Sequence, residues 1–186
     1  RSRQMIEVFD NFLPKTYHKE LLEILNGPDF PWFYNSNISD EEEEGSVYEY
    51  GFSHTFWDTG GMRNSEMAQF WKPGLLLIMD AISESQEHTI LRSRADMTMA
   101  SPGPFVHGAH TDFDFDNIAT LLYMNDSDGD TILYSGDGIT GWTEERTSPK
   151  ANRLIMFNGN DLHTGCSPSK TKNRIAINSN FETEIL

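Results

Sequence analysis

The 186-residue chain has a single cysteine, Cys166, so no internal disulfide can form and nothing in the composition calls for an oxidising compartment. It has no apolar run near the ~18 to 20 residues of a membrane span. The longest, Leu75 to Met79, meets Asp80 at once. The opening Arg1-Ser2-Arg3-Gln4 lacks the charged-then-apolar layout of a secretory signal. Together these absences set the expectation of a cytoplasmic protein without a membrane partner. Positive charge is scarce as well: 14 Lys and Arg stand against 29 Asp and Glu, for a net charge of -15 and a pI near 4.6. A surface of that sign repels phosphate backbones and anionic lipids, which argues against nucleic-acid binding. What is abundant is core material, with 37% hydrophobic residues and twelve Phe. The length suits one buried core rather than two.

The chain shows no internal repeat and no linker that would split it. Ile6 to Phe9 reads as a short strand. Pro14 then opens a helix to about Asn26, with Tyr17, Leu21 and Leu25 on one face and Gly27 at its end. The acidic run Asp40 to Glu44 reads as a solvated loop. A second helical region covers about 65 to 85, with Pro73-Gly74 marking a break or a fresh start. From about Thr89 the texture changes to short Val-, Ile-, Thr-, Phe- and Tyr-rich segments between turns. Candidate strands are 90–99, 105–112, 118–124, 130–134, 139–144, 153–157 and 174–181. Asp128-Gly129 and Asp137-Gly138 carry hairpin-type turn signals. Helices first and strands afterwards predict a mainly β sandwich or barrel with helices packed on one face.

The richest stretch for chemistry is His107-Gly108-Ala109-His110-Thr111-Asp112-Phe113-Asp114-Phe115-Asp116. Side chains two apart on a strand point the same way, so His110 and Asp112 converge. His163, in a polar segment after the apolar run Leu154 to Phe157, supplies a third donor. Two histidines and a carboxylate on one face of an octahedron leave three positions open, the arrangement of non-haem Fe(II) oxygenases. His107, three before His110, falls on the other strand face and reads as a rim or structural residue. Asp114 and Asp116 read as solvated, or as touching substrate. His18, His54 and His88 have no partner spacing.

Arg174 follows His163 by eleven residues and opens the strand Arg174 to Phe181, with Arg174, Ala176 and Asn178 on one face. A buried arginine needs an anionic partner, and its planar fork matches a carboxylate in two-point contact. The order H-x-D, distal His, then Arg at the head of the last strand resembles the Fe(II)/2-oxoglutarate-dependent dioxygenase superfamily. The prolyl 4-hydroxylase-like branch, of the viral and marine bacterial type, is the most similar. The resemblance covers roughly residues 89 to 182. It extends more loosely to the opening Val8-Phe9-Asp10-Asn11-Phe12-Leu13-Pro14 and to Phe30-Pro31-Trp32.

The resemblance implies a double-stranded β-helix, or jelly roll, forming one domain over 1–186. Its helical part would span about 1–88 and its core about 89–182. It implies His110, Asp112 and His163 as metal ligands and as the catalytic centre. It also implies Arg174, with Tyr123 and Asn178, as the residues that hold 2-oxoglutarate. The cofactors would be Fe(II), 2-oxoglutarate and O2, the products succinate and carbon dioxide, and the outcome hydroxylation of an unactivated C–H bond. If the chain is viral, the compartment would be the host cytoplasm. A peptidyl proline leads as substrate, ahead of a free amino acid or small metabolite. Phe105, Phe113, Phe115 and Trp142 would line a groove or pack in the core. Two features depart from the family pattern or bear on its branches. Ala100-Ser101-Pro102 stands where several prolyl hydroxylases carry a tyrosine, and retention of Asp112 argues against halogenation. From other classes, a cupin-like jelly roll could hold a metal or sugar without turnover. A zinc hydrolase would want a nearby Glu base, and no H-E-x-x-H motif is present.

Overall fold

The computed structural model describes residues 6–38, 47–59, 64–83, 87–136, 141 and 143–183. Two antiparallel sheets carry the fold. The larger runs β1 (Glu7–Phe9), β9 (Arg153–Asn158), β6 (Ile118–Tyr123), β11 (Asn173–Thr183), β4 (His88–Met99), β3 (Gly51–Asp58) and β2 (Phe33–Asn35) in spatial order. The smaller runs β5 (Phe105–Val106), β10 (His163–Ser167), β7 (Thr131–Ser135) and β8 (Thr143–Thr147). This is the expected mainly β jelly roll. Among the described residues no helix is long and apolar enough to cross a membrane.

Strand alternation sorts the core into two layers. On one face of the large sheet, Ile175, Ile177 and Phe181 of β11 join Leu122, Leu154 and Phe56. They pack against Leu21 and Leu25 of α1 (Lys15–Leu25) and Trp71, Leu75 and Ile78 of α2 (Ala68–Ile82). On the other face Ala176, Tyr123, Leu121, Ile155 and Phe157 meet Leu133 of the small sheet. Burial of each such large side chain contributes on the order of 1.5–3 kcal/mol. The site therefore sits between two sheets, one of which is braced from behind by helices.

Several elements differ from the sequence reading. Helix α2 is continuous through Pro73. Proline cannot maintain the helical ladder unaided, but the Tyr17 hydroxyl inserts into it. That hydroxyl donates to the Phe70 carbonyl at 2.7 Å and accepts from the Gly74 amide at 3.1 Å. Gly74 must stay small because a Cβ there would fall within the Trp71 ring. Strands β2 and β3 escaped the sequence pass. Gly51–Asp58 mixes Ser, His and Thr with aromatics, so its pattern did not stand out. The 105–112 strand is only Phe105–Val106 plus an isolated bridge at His110. Asp128-Gly129 is no hairpin, since it crosses from β6 in the large sheet to β7 in the small one. Asp128 instead accepts from Ser169, Lys170 and Thr171, tying down the turn before β11. The last strands before β9 shift to Thr131–Ser135 and Thr143–Thr147. Asp40 to Glu44, Asp137-Gly138 and Trp142 lie outside the described residues.

Candidate metal and cosubstrate site

His110, Asp112 and His163 come together, with one donor atom from each lying within 4.8 Å of the others. The cause is pairing between distant segments rather than alternation along one strand. His110 and His163 exchange both backbone hydrogen bonds at 2.9 Å, and the Asp112 amide donates to the Gly159 carbonyl at 2.8 Å. These bonds fold the 110–112 segment against 159–163 and set the two imidazoles 4.7 Å apart between ring centroids.

Both histidines are oriented for ligation. His163 Nδ1 lies 2.8 Å from the Asp161 carbonyl and His110 Nδ1 lies 3.3 Å from the Gly108 carbonyl. A carbonyl can only accept, so each Nδ1 carries the proton and each Nε2 keeps its lone pair for a ligand. Burial lowers the pKa of His163, against the pull of Asp112, which favours the neutral ring a metal needs. Burial also pushes Asp112 upward, but His163 and Arg92 beside it and the hydrogen bond from Asn180 hold it below its ordinary value. It is thus the ionised carboxylate a metal would select.

Sequence reasoning missed what surrounds Asp112. Arg92 Nη2 donates to its Oδ1 at 2.8 Å and Asn180 Nδ2 to its Oδ2 at 2.9 Å. Asn117 accepts from Asn180 at 3.0 Å. Asn180 was within reach of the pattern, because it continues the 174, 176, 178 alternation by one step. Arg92 also had a signal: an arginine inside a central strand needs a partner.

Arg174 lies on the same face of β11 and is only 7% exposed. Its Nη2 donates to Thr131 Oγ1 at 2.8 Å, its guanidinium sits 5.4 Å from the centre of the Tyr123 ring, and its Nε has no partner. No described carboxylate forms an ion pair with it. Leaving a buried cation without a counter-charge costs several kcal/mol, so the arrangement suits an external anion. The fully buried Tyr123 donates to Thr131 Oγ1 at 2.6 Å, and burial raises its pKa so that it stays a neutral donor. Thr131, unremarked in the sequence, joins the two. Asn178 is 9% exposed with its Oδ1 unpartnered.

The other candidates are not among the three donors. His107 is held by Glu49 at 3.0 Å and Ser167 at 2.9 Å, with burial lowering its pKa. Both ring nitrogens are thus engaged by the protein, and the chain around it is not a regular strand. His54 bonds Pro31 and Ser65, His18 bonds the Met124 carbonyl, and His88 that of Ser83. Asp114 and Asp116 are exposed, and Asp116 accepts from Asn158 at 3.1 Å. Phe113 lies under Arg92, 5.5 Å from its guanidinium, while Phe105 packs edge-on against His107.

Residues 97–182 match the family model of the 2OG-Fe(II) oxygenase superfamily. No curated protein matches the chain. Among solved structures it is similar to a prolyl hydroxylase from Trichoplax adhaerens in complex with a hypoxia-inducible-factor peptide fragment. The TM-score is 0.64 at 17% identity, over 95% of this chain and 83% of that one. A Pseudomonas putida prolyl-4-hydroxylase aligns at TM-score 0.61 and 14% identity, over 97% and 94% of the two chains. HygX from Streptomyces hygroscopicus, with nickel, 2-oxoglutarate and hygromycin B bound, aligns at 0.61 and 10%, over 95% and 82%.

Proposed function

We propose that the chain is an enzyme of the 2OG-Fe(II) oxygenase superfamily that uses Fe(II), 2-oxoglutarate and O2 to hydroxylate an unactivated C–H bond, with a peptidyl proline as its substrate. In this reading His110, Asp112 and His163 hold the iron, Arg174 and Tyr123 hold the far carboxylate of 2-oxoglutarate, and Asn178 adds a polar contact beside them. The whole chain serves as one oxygenase domain. The observation that carries it is the pairing of a two-histidine, one-carboxylate cluster with a buried arginine that lacks a described counter-ion.

When bound, the metal supplies the oxidising chemistry, in which 2-oxoglutarate and O2 yield succinate, carbon dioxide and an oxygen atom for the substrate. The chain's own residues bind, orient and neutralise. The Nδ1 hydrogen bonds fix the tautomer that points each Nε2 lone pair at the metal, burial keeps the His163 ring neutral, Arg174 matches carboxylate charge inside a dry pocket, and the two sheets keep water from the reacting atoms. No side chain is needed as a general base. A sugar-binding jelly roll would have no use for a buried arginine without a described counter-ion, and a zinc hydrolase would want a Glu base, for which the sequence offers no H-E-x-x-H motif.

A peptide is favoured because two of the similar folds are prolyl hydroxylases, one of them bound to a peptide, and because a net charge of -15 attracts basic segments. A small-molecule substrate is the second reading, favoured by the likeness to HygX with hygromycin B bound. The two are separated by offering prolyl peptides and free amino acids in air with Fe(II) and 2-oxoglutarate. Succinate and the gain of one oxygen atom by mass are then followed together. Coupled hydroxylation of a peptide is expected. Coupled hydroxylation of free amino acids alone would transfer the proposal to the second reading.

A further inference from the structure

A carboxylate can bind a metal through one oxygen or through both, and the choice decides how many positions stay open. Asp112 has an N–H donor on each oxygen. Oδ1 accepts from Arg92 at 2.8 Å, and Oδ2, the oxygen 3.8 Å from His163 Nε2, accepts from Asn180 at 2.9 Å. The donors are themselves fixed. Arg92 Nη2 also reaches Asn180 Oδ1 at 3.3 Å, and its guanidinium lies 5.5 Å from the centre of the Phe113 ring. Asn180 is fully buried and bonded to Asn117, whose amide oxygen fills the space a Cβ at Gly159 would need. Gly159 in turn accepts the Asp112 amide. The carboxylate is thus gripped from β4, from β11 and through its own backbone.

We propose that Arg92 is the positioning residue that keeps Asp112 to one-oxygen ligation, by engaging Oδ1 so that only Oδ2 faces the histidines. The inference rests on His110, Asp112 and His163 being the metal ligands. Turning Asp112 to present both oxygens would strip Oδ1 of a charge-assisted hydrogen bond where the carboxylate is 2% exposed and water cannot replace it. With one oxygen bound, an octahedral ion keeps three positions; with two bound it keeps two. A chelating cosubstrate then leaves none for dioxygen. Without Arg92 the metal would still bind, but the site would be closed by its own carboxylate.

The test loads the full chain with Mn(II), an ion for nitrogen and oxygen donors, and counts its inner-sphere waters from EPR line broadening in oxygen-17 water. The wild type should show about three, Arg92→Met about two, and Arg92→Lys a return toward three. Mn(II) affinity should fall by roughly 10–100-fold in Arg92→Met, as for other residues that orient ligands. An Arg92→Met protein that retains three waters overturns the proposal. If melting of the metal-free protein shows Arg92→Met unfolded, Arg92→Gln is read by the same criterion. His110→Ala, measured in parallel, should lose Mn(II). Wild-type-like Mn(II) binding there would instead sink the ligand assignment, whatever Arg92 does.

Discussion

The two faces of β11 are built from alternate residues of one strand, yet they do opposite things. Ile175, Ile177 and Phe181 face the helices and are buried among apolar neighbours. The one polar residue between them, Ser179, is satisfied by Ser93, which also takes the Trp71 indole N–H. Arg174, Asn178 and Asn180 alternate with them and face the small sheet. Only Asn180 is fully engaged, while Arg174 Nε and Asn178 Oδ1 are buried without partners. The helix side is complete in itself. The other side leaves buried polar atoms open, and this division separates a self-contained face from one suited to ligands.

The sharpest way to break that division is His110→Ala. Fe(II) retention after dialysis and succinate formation should both be abolished, while the melting temperature of the metal-free protein stays near wild type. A large loss of stability would mean that the site is part of the core. Next in size is Arg174→Ala, for which the 2-oxoglutarate Kd should rise about 30-fold or more, as expected for removal of one partner of a buried charge pair. Unchanged affinity would take Arg174 out of the site. Ile177→Ala probes the opposite face, and urea unfolding should show a loss of ~2–5 kcal/mol with 2-oxoglutarate affinity unaltered.

The smallest effect lies at the sheet edge. Asp10 accepts from Arg153 at 2.7 Å and from Lys150 at 3.4 Å, and the Arg153 hydrogen bond leads in holding its pKa at about 2 instead of 3.8. A depressed carboxyl stabilises the fold above 3.8 and loses that contribution as the pH falls toward about 2. Asp10→Asn should flatten the acid limb of a stability–pH curve in that window and leave the site untouched.

The sequence showed the β11 division because strict alternation survives in Arg174 to Phe181, and it pointed to His110 and Asp112 as candidates because H-x-D is a local signal. It could not show why the ligands meet. That depends on bridges between residues some fifty positions apart, His110 with His163 and Asp112 with Gly159, which leave no periodic trace. Thr131 was hidden for the same reason, since it matters only through partners on other strands, and Arg92 signalled the need for a partner without showing which one. Pro73 misled because its helix is repaired by Tyr17, from a different element. Gly51–Asp58 was missed because its buried face is Gly51, His54 and Phe56, a glycine and a histidine standing where a core strand would carry Val or Ile.

The most direct measurement is a visible absorption titration of the anaerobic protein with Fe(II) in the presence of 2-oxoglutarate. A charge-transfer band that saturates at one iron per chain, is absent in His110→Ala, and needs far more 2-oxoglutarate in Arg174→Ala is the expected result. A wild-type protein that gives no band, or a band that survives loss of His110 unchanged, would contradict the three-residue iron site.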